Sequence, residues 1–144
     1  VDNVEFTYLY RDGGNYKKWG RVVFSNPDRL DSDSVEKDLR LALLQDGLFI
    51  ASQIRVPEVF LYAGGEFSFD DHCYHELDGT RQTPEAATDA HGRSISEFLV
   101  EANREAAVGW RAFDPYDSEG SISSYLTSLF SPATRPTTLG SDKL

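Results

Sequence analysis

The chain reads as an α+β protein, an antiparallel sheet with helices packed on one of its faces. Three observations carry that reading. Val4, Phe6, Tyr8 and Tyr10 alternate with Glu5, Thr7, Leu9 and Arg11, which is the period of a half-buried strand. Residues 21–25, rich in β-branched and aromatic side chains, form a second strand close enough to pair with the first as a hairpin. Strand-like runs then recur in pairs, each pair followed by a helical stripe, giving the order ββαββα. That order suits an antiparallel sheet and not the βα alternation of a doubly wound parallel one.

Between the first two strands lie Asp12-Gly13-Gly14-Asn15 and then Tyr16-Lys17-Lys18-Trp19-Gly20, too long for a two-residue turn. Pro27 makes a turn with Asn26 and Asp28. Residues 31–34 offer several N-caps, with Asp33 and Glu36 at capping-box spacing. Val35, Leu39, Ala42 and Leu43 keep a helical stripe, and Gly47 can end it, so the first helix is expected over 33–46. Leu48-Phe49-Ile50 is a short apolar run, and Pro57 marks an irregular or edge segment. Val59-Phe60-Leu61-Tyr62 reads as a strand ended by Gly64-Gly65. A further strand is expected from near Asp71 to just before Asp78-Gly79, with residues 81–92 as loop. Ser94 or Ser96 caps a second helix running through about Val108 and ended by Gly109 and Trp110. Residues 1–113 therefore form one domain, and 114–144 a polar tail. In that tail Ile122, Tyr125, Leu126 and Leu129 predict one short amphipathic helix near 121–130.

At 144 residues the chain is long enough to bury a core without staples. Its lone cysteine, Cys73, cannot form an internal disulfide, which favours a reducing, cytoplasmic setting. No apolar run is long enough to span a bilayer. The net charge is −10 and unevenly spread. Residues 1–27 hold four basic and three acidic side chains, a net of +1; residues 58–89 hold eight acidic side chains against Arg81, a net of −7. Such acidity disfavours direct nucleic-acid binding and suits a partner protein with a basic surface.

Asp70-Asp71-His72-Cys73-Tyr74-His75-Glu76 gathers every type of metal-ligating side chain. On a strand, however, His72 and His75 point to opposite faces, while Cys73 and His75 share one. A metal site would need Cys73, His75 and His91 from the following loop; partly buried, hydrogen-bonded imidazoles are the reading favoured here, with no cofactor. Cys73 as a nucleophile lacks an electropositive setting. The two glycine pairs lack a phosphate-loop pattern and are turns. The hairpin tip is richer: Arg11, Asn15, Tyr16, Lys17 and Trp19 combine cations, an amide and rings, the composition of a binding hot spot. With Asp70 and Asp71 these are the candidate partner-binding residues.

The pattern Tyr8-x-Tyr10-Arg11-Asp12-Gly13-x-Asn15-Tyr16-Lys17, followed by Gly20-x-Val22-x-Phe24-x-Asn26-Pro27, resembles a family of small uncharacterised bacterial proteins. The likeness spans about residues 6–78 and includes the Pro57 turn and the Asp70–Glu76 stretch. Some relatives lie among mobile-element and defence genes, so the resemblance implies an accessory, regulatory or inhibitory subunit. The expectation is a non-enzymatic interaction module. Its alternatives are a small metal-dependent hydrolase or nuclease using His72, His75, Glu76 and the neighbouring aspartates, and a nucleic-acid mimic.

Overall fold

Alternation in the first strand places Val4, Phe6, Tyr8 and Tyr10 on one face, and that face becomes the floor of the core. In the computed structural model, which describes residues 2–62 and 68–115, the fold is α+β with a four-stranded antiparallel sheet. The elements are β1 (Asn3–Arg11), β2 (Lys17–Phe24), α1 (Ser32–Ala42), β3 (Leu48–Phe49), β4 (His75–Thr83) and α2 (Ile95–Val108). Their order across the sheet is β2-β1-β4-β3, so β1 lies inside and β2 is an edge. The expected tail helix near 121–130 and the Gly64-Gly65 turn lie outside the described residues.

Both helices cover the same face. Val35, Leu39 and Ala42 of α1, with Ile95, Phe98, Leu99 and Ala102 of α2, close over Phe6, Tyr8, Val22, Phe24 and Leu77. Rings dominate the contact: Phe24 stacks on Phe98 at 4.3 Å, and Phe6 meets Phe98 edge-on at 5.1 Å. Each such buried side chain contributes on the order of 1.5–3 kcal/mol. Tyr8 is buried yet keeps its hydroxyl bonded to the Pro57 carbonyl at 2.7 Å. That reach needs Gly20 opposite it, because a Cβ at position 20 would lie 2.4 Å from Tyr8 Cζ.

Several boundaries differ from the sequence reading for local reasons. Asp31 caps α1 by accepting from the Ser34 N–H, and the helix stops at Ala42; Gly47, at φ 74°, closes the following 3-10 turn instead. Residues 59–62 are not a strand. Val59 gives its N–H to the His75 imidazole, while Phe60 and Tyr62 turn inward against Tyr10. The third strand is the short apolar run at Leu48–Phe49. β4 begins at His75 instead of near Asp71 and continues through Asp78-Gly79, its expected end, to Thr83 inside the expected loop. A register shift against β1 at Thr7/Tyr8 absorbs that passage. The second helix matches its expected span, with Ser94 and Glu97 forming a reciprocal capping box.

The other sheet face carries charge. Glu5 is buried there, gripped by Arg21 at 2.7 Å and Arg81 at 3.2 Å. Burial pushes its carboxyl up, but those two guanidinium bonds outweigh it and hold the group below the usual carboxylate range.

Candidate functional site

The loop from Asp12 to Tyr16 is built by Asp12, whose carbonyl accepts from the Asn15 N–H and whose carboxylate accepts from the Tyr16 N–H. Asn15 occupies the left-handed region at φ 71°, which asparagine tolerates better than most residues. This loop abuts a turn at residues 68–71, where Gly13 donates its N–H to the Asp70 carbonyl at 2.8 Å. The Asp70 side chain lies so close to Gly13 that an added Cβ would sit 3.0 Å from its Oδ1. The hairpin tip and Asp70, distant in sequence, are therefore one surface.

Three further side chains, Tyr10, His72 and Arg11, brace it. Tyr10 donates its hydroxyl proton to Asp71 Oδ1 at 2.7 Å and accepts from the His72 N–H. His72 donates from Nε2 to the Arg11 carbonyl at 2.7 Å and accepts from the Tyr74 N–H at Nδ1, which fixes its tautomer. Arg11 forms a fork on Glu76, at 3.0 and 3.2 Å, and donates to the Asn15 side chain. Burial first, and then the bond to Asp71, push the Tyr10 hydroxyl far above the ordinary tyrosine range. It stays protonated and serves as a strut.

Of the candidate binding residues, Arg11, Asn15 and Asp71 are thus taken up in holding the site together. Tyr16, Lys17 and Trp19 stand outward, Tyr16 at 73% and Trp19 at 55% exposure. Lys17 and Trp19 belong to β2 itself and not to the loop. Phe69, next to Asp70, is 100% exposed. Sequence reading passed over Phe69 because a lone ring beside Ser and Asp carries no periodic signal.

The metal and nucleophile candidates are dispersed. Cys73 is buried against Ile50 and Ala112, and burial pushes its thiol up to about 12. His75 turns into a cage of Tyr8, Tyr10, Phe49 and Phe60. Its Nε2 accepts from Val59, so the proton sits on Nδ1, which has no hydrogen-bond partner among the described residues. Burial, and secondarily His72, lower its pKa to about 3. His91 lines a groove beside Arg55, Gly92 and Ser96, among residues that do not include Cys73 or His75. Among the described residues no three His, Cys, Asp or Glu side chains are grouped to hold a metal ion.

Charge along the sequence also differs from charge on the surface. Glu76, Glu85 and Asp89, all from the acidic stretch, are paired with Arg11, Arg21 and Arg93 from outside it. Lys17 and Lys18 carry no ion pair among the described residues and remain the open charges beside the rings. Among the described residues no helix is long and apolar enough to cross a membrane. No family model, curated protein or solved structure matches the chain.

Proposed function

We propose that this chain is a protein-binding module, an accessory or inhibitory subunit whose contact surface is the hairpin end of the sheet. The observation that carries the reading is the exposure of Tyr16, Trp19 and Phe69 at one braced end of the molecule. Aromatic side chains on a rigid support lose little entropy on docking and supply the large contact areas that dominate interfaces. The bracing by Asp70, Asp71 and His72 means that this end needs no reordering to receive a partner. The basic partner expected from the −7 stretch is less favoured because three of its eight carboxylates, Glu76, Glu85 and Asp89, are already paired with arginines; the open lysines beside the rings favour a partner carrying acidic groups. A hydrolytic use of the Asp70–Glu76 stretch finds less support, because Asp71, His72 and Glu76 are each engaged in the bonds that hold the site.

The test is capture from host lysate by immobilised wild type and by the Tyr16→Ala/Trp19→Ala variant, with equal thermal transitions confirmed beforehand. A protein retained near stoichiometry by the wild type and lost from the variant is the expected result. Equal retention by both, or none by either, removes the hairpin end as the site.

A further inference from the structure

Strand β2 shows its outer edge in two conditions. Val23 bonds outward, accepting from the Thr88 and Asp89 N–H groups and donating to Thr88 Oγ1; the Ser25 carbonyl accepts from Ile95. The β1–β2 register runs without a shift from Val4↔Phe24 to Arg11↔Lys17. Backbone groups alternate along such a ladder, so the N–H and C=O of Lys17, Trp19 and Arg21 point to the same outer edge as those of Val23. Among the described residues nothing bonds to them, and the side chains of 17–19 and 21 are exposed.

Charges on an edge strand ordinarily serve to deter pairing, and Lys17 and Lys18 do so here. Deterrence alone does not call for exposed rings, yet Trp19 sits within the open stretch and Tyr16 at its start. The lysines also discriminate between occupants. A second copy paired antiparallel about Trp19 would set Lys17 opposite Arg21 of that copy, whose guanidinium already holds Glu5 and Glu85, so the pairing gives Lys17 no strand carboxylate. An extended basic segment is repelled by both lysines. A segment with carboxylates at suitable positions would instead find Lys17 on one face and Lys18 on the other.

We infer that the open stretch of β2, from Lys17 to Arg21, receives an extended acidic segment of a partner protein as an added strand, with Trp19 as its side-chain anchor. This deepens the proposed function and rests on it.

The test uses the full chain and three peptides of about eight residues, the length of an ordinary strand. One alternates valine and glutamate; the second has lysine in place of glutamate; the third is the glutamate peptide with alternate backbone nitrogens methylated on the pairing edge. Fluorescence anisotropy gives affinities, and amide hydrogen exchange locates the contact. The glutamate peptide should bind, and Lys17→Glu/Lys18→Glu should weaken it by about tenfold or more. Methylation should abolish binding. Exchange should slow at the Lys17, Trp19 and Arg21 amides and stay unchanged at Lys18 and Gly20, which already face β1. Equal binding of the lysine peptide, or protection that does not alternate, overturns the inference. A concentration-dependent dimer protected at the same amides overturns it in favour of a second copy. A lysate partner lost on Tyr16→Ala/Trp19→Ala, without alternating protection, overturns strand addition alone and leaves the binding reading standing. No lysate partner and no peptide binding overturns both.

Discussion

The two halves of β2 belong to one strand and are built for opposite ends. From Val22 to Phe24 every side chain is buried, the outer edge is bonded to Thr88, and Phe24 stacks on the Phe98 ring with the Arg93 guanidinium over both. From Lys17 to Trp19 every side chain is exposed and the outer edge is bare among the described residues. What separates the halves is a cover made by residues 88–95, which reaches one and not the other. An edge strand can thus supply stability at one end and a contact surface at the other, provided the closing segment is held firmly.

The clamp on that segment is Arg93, so the largest expected effect comes from removing it. Its guanidinium forks onto Asp89 at 2.9 Å, donates to the Ile54 and Arg55 carbonyls and lies over Phe24 and Phe98. Arg93→Ala would leave Asp89, whose side chain is 3% exposed, without its counterion. We expect a loss of about 3–5 kcal/mol in urea unfolding. A loss under about 1 kcal/mol would mean the closed half is held by something else.

Acid attacks the core beneath the open half through His75, caged by Tyr8 and Tyr10, which pair with Gly20 and Lys18. Its folded pKa of about 3 lies below the ordinary 6.5, so neutral His75 supports the fold above pH 6.5, and that support drains away as pH falls toward 3. Glu58 works in the other direction, since burial raises its carboxyl from 4.5 to about 7 and it costs stability as pH rises across that interval. Between pH 4.5 and 6.5 the two slopes oppose each other at about 1.4 kcal/mol per pH unit each, giving a plateau. In Glu58→Gln the acid decline should begin near pH 6.5, where the wild type holds until near 4.5. Urea midpoints measured from pH 3 to 8 decide it; identical profiles for both chains would contradict the assignment.

A smaller effect is expected at the boundary of the halves. Gly20→Val would drive a side chain into the Tyr8 ring and disturb its bond to Pro57, for about 1–3 kcal/mol by thermal or urea unfolding. The smallest concerns the open half. Trp19→Ala and Tyr16→Ala should leave stability within about 0.5 kcal/mol, because their exposed rings add little to the core. The same variants should raise the partner's off-rate, measured by surface-based kinetics. A drop of several kcal/mol would reclassify these rings as core.

Much of this comparison was legible in the sequence, and what was missed has physical causes. The β1 alternation and the Ser94/Glu97 box act over a few residues, so they read directly as a strand and a helix start. Val59-Phe60-Leu61-Tyr62 misled because its rings are needed inside the Tyr10 cage, while its backbone bonds to a side chain and not to a strand. Asp78-Gly79 has turn composition, but pairing with β1 carries it through a register shift. The hairpin rings and lysines stood out as a cluster of unlike chemistry. Their union with Asp70 did not, since a bond from Gly13 to a carbonyl far along the chain leaves no local signature. Nor did the pairing of Glu76, Glu85 and Asp89 with distant arginines, so a segment's net charge misstated its surface.

The position of β1 at the middle of the sheet also sets a timetable for synthesis. Its first neighbour, β2, follows within a few residues, but its second, β4, is about 50 residues further on. At roughly 5–20 residues per second, that side of β1 waits on the order of seconds for its strand. The ring-bearing face of the new hairpin waits as well, since α2 emerges later still. The first element made in the interval is α1, directly after the hairpin, and its Val35, Leu39 and Ala42 are the first apolar cover that Phe6 and Tyr8 can meet. The nascent chain is therefore served by its early helix before its sheet is whole.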